Sequence, residues 1–434
     1  MKRQNGLARR NGSEGRKLIE LLEERRLLSA VPAWATAGLD GDALGSAVAA
    51  QGDFVLVGAP DRDLSLVDEN DQSYTATDAG EAYLFNANTG ELLATFRSDS
   101  PMDGDRFGAV VAFAGNTVVI GATGEDGTVT DQGAAYYFHT IDLGQSSFDG
   151  SVITTSTRLA DETLEAGSGA VMALGWWNNQ VLMGLENGDG AVLFFGTNGV
   201  LNQTITCPEE MDFEHFGSAI ATSADGRLAI SARQATVTYE KDGLIFGSST
   251  AGAVYIYDQN GVLERAVANP NYQRAQLFGQ SLAWQDGTLY VGAPADGLAS
   301  AFGGVVYAIN PASGAVVRTF ENPAPNNIAG GSFGGSIAVD GDYLVVGAPS
   351  QTVAADYYGM VSEFWNGNVF VFNRNTGALV AEVADPDPTD WSDYGAFSDT
   401  YGGAVGFAGG KIIVGDAFND QGGYDQGAVW AFTL

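Results

Sequence analysis

The sequence predicts an all-β protein: a seven-bladed β-propeller with four antiparallel strands per blade, closed by an N-terminal strand that completes the last blade. Three observations carry this expectation. A unit of four short apolar segments recurs seven times at intervals of about 60 residues, a propeller-type period. Glycines stand at fixed places in the unit, where packed neighbouring backbones need close approach. The seventh unit stops at Leu434 without its fourth segment, while an unused one, Ala30–Ala37, precedes the first unit.

The elements of a unit, A to D, follow in order. Strand A opens at Leu44-Gly45, Phe107-Gly108, Ala166-Gly167, Phe216-Gly217, Phe278-Gly279, Phe333-Gly334 and Tyr401-Gly402. Strand B ends at Val57-Gly58-Ala59-Pro60, Ile120-Gly121-Ala122, Met183-Gly184, Ile230-Ser231-Ala232, Val291–Pro294, Val346–Pro349 and Val414-Gly415-Asp416. Strand C is the aromatic-rich run typified by Ala82–Phe85, Val254–Tyr257 and Val369–Phe372. Strand D follows a turn, as in Thr89-Gly90 into Leu92–Phe96, Ser313-Gly314 into Val316–Phe320 and Thr376-Gly377 into Leu379–Val383. Short runs rich in Val, Ile and aromatics, bounded by Gly, Asn or Asp, read as strands. The third unit is the most degraded. Independent β-sandwiches would need linkers every ~100 residues, and the sequence offers none. Pro32 suits an outer edge strand, so residues 30–37 are expected to supply strand D of the last blade.

Composition excludes several functions. The 434 residues include 53 acidic and 20 basic side chains, a net charge of -33 that repels nucleic-acid phosphates. No apolar run reaches the roughly 18 residues of a membrane helix, so no membrane span is expected. Cys207 is the single cysteine, which precludes an internal disulfide or a cysteine-built zinc site. His139 and His215 are the only histidines and lie far apart in sequence. A histidine-rich metal centre is thereby ruled out, and a Ser-His-Asp triad is disfavoured. No catalytic motif is present, and the chain is expected not to be an enzyme.

Phe-Gly opening one strand and Gly-Ala-Pro closing the next resembles the FG-GAP repeat, as in the α-subunit head of integrins. The resemblance covers residues 30–434, seven times over. It implies a binding and adhesion platform, commonly extracellular, in which some copies bind calcium. Family members hold that ion in an acidic loop between strands A and B. Here the corresponding turns are tight, around Gln51-Gly52, Gly115-Asn116, Asp286-Gly287 and Asp340-Gly341-Asp342. They are too short to wrap six or more oxygens around a cation, so this chain looks like a short-turn bacterial version without the integrin-type site. The Thr-Gly turn before an apolar strand is similar to quinone-dependent dehydrogenase propellers, but Phe96, Phe320 or Val383 stands where those carry tryptophan.

Residues 1–29 form a different object. Residues 1–26 hold eight Lys/Arg and four Glu, whereas the remainder holds 12 basic and 49 acidic residues. Leu22-Glu23-Glu24-Arg25-Arg26-Leu27-Leu28-Ser29-Ala30 is similar to the Leu-Glu-Pro-Arg-x-Leu-Leu-Ser-Ala motif near the N-termini of exported and surface proteins, with Glu24 in place of Pro. The reading is a basic targeting segment, 1–29, ahead of one propeller, 30–434, exported to the cell surface or beyond. A short charged helix is the plainer reading of the same segment.

Strand alternation sorts the connections. A–B and C–D turns share one end of the ring and are short; B–C and D–A connections share the other and are long and acidic, where scaffolds carry function. Their acids suit divalent cations or a cationic partner, and equally a solvated surface that keeps the protein soluble. Asp61, Asp63, Ser65 and Glu69 form the best calcium candidate, although the turn glycine is missing. Tyr239 and Phe246 flank an expected hairpin turn at Asp242-Gly243. Tyr357, Tyr358 and Trp365 lie in the sixth B–C connection. Such aromatics stack on sugars or anchor a protein partner, or simply pack on the propeller end. The expected role is a monomeric, non-catalytic binding or adhesion module for an extracellular protein or glycan, with calcium as a possible aid. An extracellular hydrolase or dehydrogenase and a structural surface-layer spacer are the competing readings.

Overall fold

The computed structural model describes Leu27–Leu28 and residues 31–434, apart from 68–69, 127–131, 140, 145–147, 162–169, 187–189, 209–214, 242–243, 249–250, 272–275, 298–302, 325–330, 358–359, 366, 388–399 and 420–424. Every regular element among the described residues is a β-strand. Seven sheets, each built on four antiparallel strands and two of them extended by a short parallel fifth, form the blades of a propeller. We number them by strand A: Ala47–Gln51, Phe107–Ala114, Ala170–Trp177, Phe216–Thr222, Ser281–Gln285, Ser336–Asp340 and Ala404–Ala408. Blade 5 shows the plan, running Ser281–Gln285, Thr288–Ala293, Val305–Ile309 and Val316–Glu321 as sequential antiparallel neighbours.

Blade 7 closes the ring as expected. Its outer strand is Trp34–Ala37, paired antiparallel with Ala428–Thr433 so that Trp34 faces Ala431 and Ala37 faces Ala428. Trp34–Ala37 and the last strand of the chain therefore share one sheet.

The core is divided among the seams between blades. Leu56, Leu84 and Phe96 of blade 1 pack on Phe107, Ile120 and Phe138 of blade 2. At the closing seam Ile413, Val429 and Ala431 of blade 7 meet Val55, Val57 and Phe85 of blade 1, with Trp34 over the join. Each blade thus buries both faces against neighbours, which explains why its central strands read as unbroken apolar runs.

The Phe-Gly opening of strand A and the glycine near the end of strand B form one device that recurs at the seams, with Ser231 in the glycine's place in blade 4. Phe107, Phe216, Phe278, Phe333 and Tyr401 are fully buried. The Phe107 amide donates to the Ala79 carbonyl of blade 1 at 3.0 Å, and Phe278 repeats this with Ala251 at 3.2 Å. The following glycines hold φ between +84° and +97°, which side chains resist. Their carbonyls lie directly against the strand-B glycine of the preceding blade: Gly108 on Gly58, Gly334 on Gly292 and Gly402 on Gly347.

Not every connection at the tight-turn end is short. In blade 2 the chain between Ala134–Tyr137 and Thr157–Leu159 is long and reaches back to blade 1. It buries Ile141 and Leu143 in the first seam and sets Phe148 edge-on to Phe54, with ring centroids 6.2 Å apart. The expectation of uniformly short C–D turns fails here because this connection supplies core.

Candidate functional site

The B–C and D–A connections gather at one end of the ring, and much of their acidity is used inside the protein. Glu125 follows strand B of blade 2 and is buried. It accepts the Tyr136 hydroxyl at 2.5 Å and the Arg158 guanidinium, while Ser98 of blade 1 donates to Tyr136 Oη at 3.1 Å. Blade 5 repeats the arrangement: buried Asp296 accepts Tyr307 Oη at 2.7 Å and Asn271 Nδ2 at 2.6 Å. In blade 6 Gln351 takes the place of the acid, accepting from Asn322 Nδ2 at 2.8 Å. Blade 1 varies the theme, with Glu81 accepting from Tyr83 Oη at 2.6 Å and from Arg97. Burial, reinforced by the neighbouring carboxylate, pushes the Tyr83, Tyr136 and Tyr307 hydroxyls well above their ordinary range. They are fixed hydrogen-bond donors, not titrating groups.

Two acidic turns before strand A behave in the same way. Asp42 accepts the Leu39 amide at 2.7 Å and receives Arg62 Nη1 on both oxygens, at 3.1 and 3.0 Å. Asp105 accepts the Met102 amide at 2.7 Å. Burial raises the Asp105 carboxyl to about 6; the Met102 amide opposes this, Glu125 and Asp126 add to it, and Arg158 lowers it. A folded-state value above the unfolded one makes the protonated form the one the fold favours. Its contribution is therefore complete below about pH 4 and is lost as pH rises through about 6. Asp105→Asn keeps the acceptor and removes the charge. It should raise stability at pH 7.5 by on the order of 2 kcal/mol and leave it unchanged near pH 4, as read from urea unfolding at the two pH values. Equal gains at both would show that charge burial is not the cause.

The calcium candidate is placed as follows. Asp61 Oδ1 lies 2.9 Å from Arg106 Nη2, and Asp63 Oδ1 accepts the Asp78 amide at 3.0 Å. Burial raises Asp61, Arg106 opposes this, and Asp78 and Asp425 add to it. Ser65 sits in a hairpin strand, Leu64–Val67, opposite Thr75. Glu69 lies outside the described residues. Among the described residues no three His, Cys, Asp or Glu side chains converge in a metal-binding group.

Among the described residues, three B–C connections carry an added hairpin at this end. They are Leu64–Val67 with Ser73–Ala76 in blade 1, Val237–Lys241 with Leu244–Ser248 in blade 4, and Thr352–Tyr357 with Met360–Trp365 in blade 6. Tyr239 stands directly opposite Phe246. Tyr357 is opposite Met360 and Trp365 opposite Thr352, so strand alternation assigns positions 357 and 365 to opposite faces of the hairpin. Tyr358 lies outside the described residues. The sequence reading missed a second set of groups here. Leu39, Val67, Tyr74, Met102 and Phe418 are large apolar side chains exposed to solvent, all on connections of blades 7, 1 and 2.

The opposite end is sealed by clamps between blades. Arg318 of blade 5 donates to the Asn375 and Thr376 carbonyls in the C–D turn of blade 6, at 2.7 and 2.8 Å. Arg265 of blade 4 likewise donates to Ala312 in blade 5 at 2.6 Å. At the closing seam Trp34 Nε1 donates to Ala87 of blade 1 at 2.8 Å.

The FG-GAP repeat family matches residues 95–138, which run from the end of blade 1 through strand C of blade 2. No curated protein matches the chain. Among solved structures, the computationally designed Ika8 protein is similar at 15% identity with a TM-score of 0.49, over 92% of this chain and 98% of that one.

Proposed function

Because the chain is a seven-bladed β-propeller carrying an FG-GAP repeat, we propose that it is a non-catalytic, exported binding or adhesion module that meets its ligand at the B–C and D–A end. One observation carries the reading. The added hairpins seen among the described residues and the exposed Tyr74, Met102 and Phe418 stand at this end, whereas the exposed apolar groups of the other end, such as Val200 and Val262, are small aliphatics in tight turns. Surface apolar groups rimmed by charge are the ordinary make-up of a protein-binding patch. The net charge of -33 favours a cationic or cation-bridged ligand, and an extracellular protein or glycan fits both features.

The test is an array of extracellular-matrix proteins and glycans probed with the full chain, with chelator and with millimolar calcium. Tyr74→Ser/Met102→Ser/Phe418→Ser should lose at least tenfold in affinity for the captured ligand with an unchanged melting temperature. A second variant, Tyr239→Ser/Tyr357→Ser/Trp365→Ser, asks the same of the two larger hairpins. The reading is overturned if nothing on the array binds saturably or if both variants bind like the native chain. Calcium enters the account only if it raises the melting temperature, since a ligand at about 100 times its Kd adds about 2.7 kcal/mol.

A further inference from the structure

The outer edge of a propeller blade is a free strand edge, and this chain covers two of its own in the same way. Val152–Ile153 runs parallel to the end of strand D of blade 1, pairing with Thr95 and Phe96. The Thr95 amide donates to the Ser151 carbonyl at 3.1 Å, and the Arg97 amide to Ile153 at 3.2 Å. Leu27–Leu28 runs parallel to strand D of blade 6, Leu379–Val383, pairing with Glu382 and Val383. The two registers are equivalent. Thr95 and Phe96 face Tyr83 and Ala82 of strand C, while Glu382 and Val383 face Phe370 and Val369. Ala82 and Val369 each stand two residues after the glycine that opens strand C, Gly80 and Gly367. One slot, at one height on the blade, thus accepts an aliphatic pair in parallel twice.

The two occupants differ in how they are tethered. Val152–Ile153 is fixed on both sides, between strands C and D of blade 2. Leu27–Leu28 lies ahead of Trp34–Ala37, outside the run of blade strands, and joins it through residues 29–33. We propose that the outer edge of blade 6 is a peptide-accepting slot held closed by Leu27–Leu28, and that it takes an extended aliphatic segment from another polypeptide when that strand leaves. Backbone pairing supplies the affinity in such strand addition. Arg25 and Arg26 precede the occupying pair, and the remainder of the chain holds 49 acidic against 12 basic residues. The favoured occupant is therefore an extended peptide with basic residues ahead of its aliphatic pair. A five-residue tether gives an effective concentration of about 1 mM, which shields a slot of about 100 µM intrinsic Kd roughly tenfold.

The full-length variant Leu27→Asp/Leu28→Asp opens the slot without removing a residue, because aspartate disfavours the strand and faces Glu382. A fluorescein-labelled peptide of residues 22–30 should bind this variant saturably and the native chain at least tenfold more weakly. The same peptide carrying both aspartates should bind neither. By equivalence with Thr95 and Arg97, the amides of Glu382 and Ala384 should exchange with deuterium faster in the variant and slow again on adding the native peptide. Equal affinity for variant and native chain, no binding to the variant, or unchanged exchange at both amides would each overturn the proposal. The slot lies on the outer rim, so either result leaves the reading of the B–C and D–A end untouched.

Discussion

Gly347→Ala is expected to destabilise the propeller by about 4 kcal/mol or more. The glycine sits in strand B of blade 6 with no positive φ, so the backbone itself would accept alanine. What it lacks is room, because a Cβ there would fall on the carbonyl oxygen of Gly402, the second residue of the Tyr-Gly pair that opens blade 7. Neither partner can yield alone. Gly402 is held at φ +84° and donates its amide to the Gly415 carbonyl of its own blade at 3.1 Å, and Tyr401 beside it is fully buried. Moving one blade outward strains the two seams beside it, because the ring is closed. Gly410→Ala is the control. Its φ is +70° but nothing lies within 4 Å of its Cβ position, so only the left-handed backbone penalty of about 1 kcal/mol applies. Urea unfolding of the two variants separates crowding from strain. Similar losses would mean that the seam glycines serve conformation, not contact.

That device was legible in the sequence because it is made largely of glycines, whose absent side chains leave the same mark in blade after blade, with Ser231 the exception in strand B. Closure was legible for a related reason: Trp34-Ala35-Thr36-Ala37 is an apolar run with no other partner, and the last unit is one strand short. The buried belt under the loops was not. Glu125, Asp296 and Gln351 occupy one position, four residues after the strand-B glycine, and Tyr136 and Tyr307 lie three residues after the glycine opening strand C. The spacing is regular but the chemistry changes from blade to blade, and each acid meets its tyrosine only through the fold. The sequence reading therefore assigned the acids of this end to solvent or ligand as a group. The edge pairing of Val152–Ile153 was hidden more deeply, since two residues in a long connection carry no periodicity.

Trp34→Ala should cost about 3–5 kcal/mol and should lower the cooperativity of unfolding as well as its midpoint. The indole is buried and covers the closing seam beside Val55, Val57 and Val429. It packs against Gly90 in the C–D turn of blade 1, tilts toward Phe85 with ring centroids 6.1 Å apart, and donates to the Ala87 carbonyl. Arg318 and Arg265 hold the equivalent turns two and three seams away from outside, with guanidinium groups on exposed backbone carbonyls. Truncating either of those should cost about 1 kcal/mol, because water can replace the lost donor. The difference follows from topology. Every other strand D is continuous in sequence with its own strand C, whereas the outer strand of blade 7 joins its sheet only by pairing with Ala428–Thr433. Removing the indole therefore weakens the one strand whose departure opens the ring. Once it leaves, the edge of Ala428–Thr433 is exposed and the seam between blades 7 and 1 loses its cover. Amide exchange resolves the two possibilities. Faster exchange confined to Trp34–Ala37 and strands C of blades 7 and 1 would show the ring opening at its closure, whereas uniform loss of protection would mean that Trp34 contributes buried area alone.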